Sequence, residues 1–244
     1  MIATDVALRM IARFERRIKL DDVDREAVLA LPFTMREIDA GRYIVREGQP
    51  LKVCTVLVEG FAFRQKITAE GGRQIVSVHI PGDFFDLEGA LLKVADHNVQ
   101  ALTRAKIASV PEARVIEIIE NFPRLARAMW IDTLIDASIF REWVMNVGRR
   151  DARQRIGHLL CETALRMELA GLCKKTASFH FPLTQEQLAD ATGLTPVHVN
   201  RSMKAMETEG LIIREKKQLR IPDWHRLCDS SGFNALYLHL DQGG

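Results

Sequence analysis

The chain has no run of about 18 apolar residues, so no membrane-spanning helix is expected, although 47% of its 244 residues are hydrophobic. Cysteine is scarce. The four cysteines, Cys54, Cys161, Cys173 and Cys228, contain no C-x-x-C pair, and none precedes Cys54. That spacing argues against a thiolate zinc site and a dense disulfide framework, and reduced thiols in a cytoplasmic protein are the plain expectation. The seven histidines include no H-x-H pair, so the clustered ligands of a metal enzyme are missing and no cofactor or metal is expected. An excess of one charge is lacking too: 34 Lys and Arg face 32 Asp and Glu, a net charge of +2. The balance is slightly uneven, with 14 basic against 11 acidic residues from Arg149 onward and 20 against 21 before it. This lean is compatible with a nucleic-acid-binding C-terminal part and does not establish one.

What is present suffices for two modest domains, each with its own core. The N-terminal segment has apolar residues at helical spacing with Arg and Lys between them; it reads as a short amphipathic helix and not as a signal peptide. From Met35 to Glu120 short β-branched or aromatic runs alternate with glycine turns. Examples are Arg42–Val45, Thr55–Val58, Phe61–Phe63 and Gln74–Val78, which together suggest a barrel or jelly-roll closure. Near Asn121 the pattern changes. Between Phe122 and Arg150 the residues Trp130, Ile131, Leu134, Ile135 and Ile139 repeat at helical spacing, predicting a long helix of roughly seven turns. Its apolar stripe is interrupted by charge, and periodicity alone leaves open whether it faces a core or a second copy. A further helix is expected at about Arg153 to Leu169, ended by Gly171, followed by a short strand at Ala177 to Phe181.

The segment LTQEQLADATGLTPVHVNRSMKAMETEG, Leu183 to Gly210, carries two complete helix-start signals. Thr184 with Gln187 forms a capping box, and Leu183 with Leu188 a hydrophobic staple. Gly193 suits a left-handed turn. Thr195 is an N-cap followed by Pro196 at the first helical position, where a missing N–H costs nothing. Val199, Met203 and Met206 share one face of this second helix, while Val197, Arg201, Lys204 and Thr208 share the opposite one, with His198 and Asn200 on the flanks. Two short helices about a glycine turn form a helix-turn-helix, whose second helix enters the major groove N-terminus first. In that role Arg201 suits a guanine edge, Asn200 an adenine edge, and Thr184, Thr195 and Lys204 phosphate; His198 suits base or phosphate. An ordinary helical hairpin with a solvated polar face is the alternative. Next, Leu211 to Ile213 and Leu219 to Ile221 flank Lys216 and Lys217 and read as a basic-tipped β-hairpin, the wing of a winged helix-turn-helix. The two lysines are then phosphate contacts, or simply solvated surface.

Leu183 to Ile212 closely resembles the DNA-binding domain of the cyclic-AMP receptor protein/fumarate-nitrate reduction regulator (Crp/Fnr) family. The resemblance extends over roughly Met35 to Ile221. The stretch RYIVREGQP near Gly41–Gly48, the turn Val58-Glu59-Gly60, the turn Pro81-Gly82-Asp83-Phe84-Phe85 and the strand Ala101-Leu102-Thr103 look like the family's β-roll landmarks. It implies an α+β protein with an N-terminal double-stranded β-helix (β-roll or jelly roll), a long dimerisation helix and a C-terminal winged helix-turn-helix. The expected divisions are 1–121 for helix and β-roll effector domain, 122–150 for the dimerisation helix, 151–225 for the DNA-binding domain and 226–244 for an extension. Implied partners are double-stranded DNA with a near-palindromic operator, a second copy of the chain, and RNA polymerase; no membrane is implied.

The departures from the family pattern are informative. Cyclic-nucleotide-binding members carry Gly-Glu after the P-G-D turn and Arg-Ser or Arg-Thr further on; here Asp86-Leu87 and Ala95-Asp96 align, and no arginine lies between Arg73 and Arg104. Asp96 repels a phosphate where arginine attracts it, so tight cyclic-nucleotide binding is not expected. A shifted register brings Glu88 to a ribose. Phe85, Glu88, His97 and Asn98 are the candidate effector-pocket residues. The absence of an early cysteine cluster argues against an iron–sulfur sensor. His79 and His97 are the candidate haem ligands, yet a lone histidine in a β-roll is more often a hydrogen-bonded residue. The recognition helix also departs, with Pro196-Val197 where the family often has Arg-Glu or Val-Glu, which predicts a different half-site. Two other readings are a cupin-type enzyme and a regulator acting by protein contact alone. Metal content tests the first, and the effect of Arg201→Ala on DNA binding the second. Control of DNA binding through the packing of paired long helices is the expected mechanism.

Overall fold

The structure, a computed structural model, describes residues 2–240. The chain forms two compact units. The first comprises residues up to 64, 79–139 and the end from 238; the second comprises 65–78 and 140–237.

The first unit begins with two helices, α1 (Ile2–Glu15) and α2 (Asp22–Leu29). The sequence pattern had suggested one. The missed signal is the Asp21/Asp24 pair, in which each side chain accepts a hydrogen bond from the other's backbone N–H. Strands β1 (Thr34–Ile38), β2 (Tyr43–Val45), β3 (Val53–Glu59), β4 (Ala62–Ile67), β5 (Arg73–His79), β6 (Asn98–Ala101) and β7 (Ala105–Pro111) follow. They form two sheets, ordered β1-β7-β3 and β2-β6-β4-β5. Residues 65–78, the far end of the β4–β5 hairpin, group with the second unit. Leu57, Ala62, Phe85, Val99 and Ile107 belong to one buried apolar cluster. The neighbours Cys54, Val56 and Val110 belong to another, shared with Met10, Phe14, Val28, Val115, Ile118 and Leu125. Strand β3 is therefore buried on both faces, which explains why it reads as a continuous apolar run and not as an alternation.

The expected β stretch to Glu120 ends early. Glu112–Asn121 is a helix, α3, starting directly after Pro111. It has no internal Gly or Pro, and it buries Val115 and Ile118, three positions apart. Helix α4 (Pro123–Arg149) is the long helix anticipated from the periodicity. Its inward face carries Leu125, Met129, Asp132, Ile135, Ile139 and Trp143. Buried Asp132 receives both Nε of Arg13 at 2.9 Å and its second terminal nitrogen at 3.0 Å. Arg13 also donates to Asp83 at 2.9 Å and to the Gly82 carbonyl at 3.1 Å. The acidic residue of the P-G-D turn is thus structural, holding α1 and the turn through one guanidinium.

The second unit centres on α5 (Ala152–Leu169), whose helix start is a second reciprocal capping box, Asp151 with Gln154. Eleven of its residues are buried, so it forms the core around which the smaller elements pack. These are β8 (Phe179–His180), α6 (Gln185–Thr192), α7 (Pro196–Thr208), β9 (Ile213–Glu215), β10 (Gln218–Arg220) and α8 (Trp224–Ser231), with the three strands ordered β8-β10-β9. The buried carboxylate of Glu162 accepts from Trp143 Nε1 at 3.1 and 3.2 Å and from the Tyr237 hydroxyl at 2.8 Å. Helices α5 and α8 meet closely. A Cβ added to Gly157 would lie 2.7 Å from the Ser231 Cβ, nearer than real Cβ contacts permit. Gly157→Val is therefore expected to destabilise the second unit by about 1–3 kcal/mol through overpacking, read by chemical denaturation. An unchanged midpoint would show that the two helices separate without cost.

Candidate nucleic-acid interface

Helix α6 starts as anticipated: the Thr184 hydroxyl accepts from Gln187 N at 3.2 Å, while Gln187 Oε1 accepts from Thr184 N at 2.9 Å. It ends at Gly193, whose φ of +64° is the left-handed conformation that glycine adopts without strain. Helix α7 starts at Thr195, whose hydroxyl accepts from His198 N at 3.3 Å, with Pro196 in the first turn. The turn between the helices is thereby fixed from both ends. Arg155 adds a third restraint, donating to the Thr192 and Gly193 carbonyls at 3.1 and 3.3 Å. Sequence spacing gave no sign of this contact, because Arg155 lies 37 positions before Thr192.

Val199, Met203 and Met206 are buried, anchoring one face of α7. The opposite face is open: Val197 is 67% exposed, and His198, Arg201, Lys204 and Thr208 are exposed with it. Asn200 is half-buried and donates to Gln185 Oε1 at 3.4 Å, a weak tie to the start of α6. The hydroxyls of Thr184 and Thr195 accept backbone donors as caps, which leaves their own O–H available to an outside acceptor.

The hairpin β9–β10 pairs Gln218 with Glu215 and Arg220 with Ile213. Its two-residue tip is Lys216-Lys217, both exposed, with Lys216 at φ +56°. The strands begin later than the apolar run suggested, because Leu211 and Ile212 are spent as buried anchors between α7 and the hairpin. The expected strand at Ala177 to Phe181 is likewise reduced to Phe179–His180, the part that pairs with β10. Arg214 donates to both oxygens of Glu207, at 3.1 and 3.4 Å, tying the hairpin to α7. A cleft of about 240 Å³ lies between the hairpin and α6, with Thr184, Gln185, Lys216 and Lys217 among its lining residues. Helix N-terminus, hydroxyl and two ammonium groups are the donor set that phosphate oxygens match.

Two families match this chain. One, described as a Crp-like helix-turn-helix domain, covers residues 154–230. The other, a cyclic nucleotide-binding domain, covers residues 35–122. The chain belongs to the Crp/Fnr family of transcription regulators. Among its relatives, the transcriptional activator protein FnrL of Cereibacter sphaeroides is 28% identical over 200 residues, covering 81% of this chain and 80% of that one. The transcriptional activatory protein AadR of Rhodopseudomonas palustris is 29% identical, over 74% and 71% of the two chains. In fold, the chain is similar to FixK2 from Bradyrhizobium japonicum, with a TM-score of 0.74 and 23% identity over 82% of this chain and 98% of that one. As a Crp/Fnr protein the chain is a DNA-binding regulator and not an enzyme. Among the described residues no helix is long and apolar enough to cross a membrane.

The other candidate site of a Crp/Fnr protein is in the first unit, and the structure divides its four named residues. Phe85 is fully buried in the apolar cluster between the sheets. Asn98 accepts from Glu47 N at 3.1 Å. Glu88 sits in the short 3₁₀ turn Leu87–Ala90, and its carboxylate lies 4.0 Å from His97 Nε2. His97 Nδ1 is 2.7 Å from Asp96. Sequence reasoning missed Arg64 of β4. Its guanidinium is buried, donating to the Phe85 carbonyl, to Asp136 of α4 at 3.0 Å and to Glu88 at 3.5 Å. Arg64 lies 24 positions before Glu88, on a strand that otherwise reads as ordinary, so only the fold brings the two together.

Proposed function

We propose that this Crp/Fnr protein works as a homodimer that reads a near-palindromic operator, with α7 in the major groove and the hairpin tip against the backbone. In this reading Arg201, Asn200, Val197 and His198 face bases, while Thr184, Thr195, Lys204, Lys216 and Lys217 face phosphates. The observation that carries the reading is the division of α7 into one fully buried face and one fully exposed face bearing Arg201 and Lys204.

The dimer reading rests on α4. Its outward face holds Trp130 (68% exposed), Leu134 (54%) and Val144 (70%). With Ala137 and Arg141 between them, the stripe runs at alternating steps of four and three residues, the spacing of a two-helix seam. Large apolar side chains on a helix whose other face is already committed to a core fit a second copy. The half-sites then lie about one helical turn apart. RNA polymerase is the proposed partner once DNA is bound.

Control from the β-roll is part of the same proposal. Arg64 is held between the carboxylates of Glu88 and Asp136, and no cyclic phosphate reaches it without displacing them. Cyclic AMP is accordingly expected to leave the melting temperature unchanged; a rise that saturates with ligand would contradict this.

DNA binding by this surface carries a salt signature. Each lysine against a phosphate releases condensed counterions. Lys216→Ala with Lys217→Ala removes four lysines from the dimer and is expected to weaken binding about equally on all sequences and to flatten the log Kd against log salt plot by roughly 3–4. An unchanged slope would place the hairpin tip away from DNA. The proposal as a whole is tested by binding to promoter fragments over a salt series together with sedimentation of the free protein.

A further inference from the structure

Within the second unit, the cysteines spaced too far apart in sequence to suggest a pair are adjacent in space. Cys161 of α5 and Cys228 of α8 have their sulfurs 3.9 Å apart. Both are free thiols, Cys161 buried and Cys228 half-exposed. The contact follows from the close approach of the two helices. Gly157 and Cys161 are one helical turn apart on α5, and Cys228 and Ser231 one turn apart on α8. Gly157 meets Ser231, and the Ser231 hydroxyl lies 3.8 Å from the Cys161 sulfur. Small residues on both faces therefore let the thiols touch. A disulfide needs about 2.05 Å between sulfurs, so the pair must close by a little under about 2 Å, within reach of side-chain rotation and a slight helix shift.

We propose that Cys161 and Cys228 form an oxidative modification site: a thiol pair that a hydroperoxide converts to an intramolecular disulfide stapling α5 to α8. The half-exposed Cys228 is the attacking sulfur. The sulfur–sulfur hydrogen bond shared with Cys161 holds the Cys228 thiol below the ordinary range, and nearby Lys175 acts in the same direction against burial and Asp229. Burial pushes the Cys161 thiol up, so it keeps its proton. The Cys228 thiolate attacks the terminal oxygen of the hydroperoxide, the O–O bond breaks, and an alcohol or water leaves, giving Cys228 sulfenic acid. The Cys161 sulfur then attacks the Cys228 sulfur; the S–S bond forms, the S–O bond breaks, and the departing hydroxide takes the Cys161 proton as water. Two thiols and one hydroperoxide yield one disulfide, one alcohol and one water, with two electrons passing from the sulfurs to the peroxide. Cys54 is buried in the other unit, and Cys173, though half-exposed, has no sulfur partner recorded among the described residues.

The test uses the full-length protein treated with hydrogen peroxide, followed by thiol titration and peptide mapping without reductant. The expected result is loss of two of the four thiols, an intact mass lower by about 2 Da, and a linked peptide joining Cys161 to Cys228, all reversed by dithiothreitol. Cys173→Ser gives the same outcome. Cys161→Ser abolishes the link and leaves Cys228 as a sulfenic acid trapped by dimedone. Should that variant fail to fold, the map of the unaltered protein decides alone. Four thiols persisting after peroxide, or a link that involves Cys173, Cys54 or a second chain, would overturn the proposal.

Discussion

Replacing Arg201 by alanine is expected to cost roughly 5- to 150-fold in affinity for each half-site, about 1–3 kcal/mol, and to relax preference at a single base position. The size follows from the geometry. Arg201 projects from the exposed face of α7, opposite the buried anchors Met203 and Met206, which hold the helix whether or not the guanidinium is present. Stability and the salt slope are therefore expected to change little, apart from the one cation removed. Arg201→Lys keeps the charge and loses the bidentate fork, so it should recover general affinity and not base preference. Competition binding with operators altered one position at a time measures this directly. Equal loss on every sequence would make Arg201 a phosphate contact, and no loss at all would remove α7 from the DNA.

The second large effect is expected at Leu134. Leu134→Glu places a carboxylate in the middle of the outward stripe of α4, between Trp130 and Ala137. In a symmetric seam two such carboxylates meet near the axis, and burying them unpaired is costly. The variant is expected to sediment as a monomer at micromolar concentration while keeping its helical content, since Leu134 belongs to the exposed side and not to the core. A monomer engages one half-site at a time and forfeits the linkage between the two, so operator affinity should fall by at least about 100-fold. Ile135→Glu is the contrasting change: Ile135 faces inward, and the expected outcome is unfolding. If Leu134→Glu stays dimeric, the pairing surface lies elsewhere.

These expectations show which parts of the molecule are readable from the chain alone. The helix-turn-helix was legible because its determinants are local. Thr184 with Gln187, Gly193, and Thr195 with Pro196 act within one helical turn. The long helix was legible in extent but not in orientation. Trp130, Leu134, Ile135 and Ile139 all fit helical spacing, and only packing separates the first two as outward from the last two as inward. Helix α3 was lost among strands because β-branched Val115, Ile116, Ile118 and Ile119 suit either state, although Pro111 stands directly before its first residue. The site in the first unit was the least legible. Arg64, Glu88 and Asp136 come from three separate elements and His97 from the loop before β6, and no spacing rule joins residues that only the fold makes neighbours. The Cys161–Cys228 contact is hidden for the same reason.

The central claim is that α7, used twice about a two-fold axis, reads DNA sequence. Selecting bound fragments from a random duplex pool with the purified protein tests it most directly. The account predicts enrichment of one inverted repeat whose half-site centres lie about 10 base pairs apart, with one position of each half-site losing its information when Arg201 is alanine. Recovery of no common motif, or of a single unrepeated half-site, would contradict it.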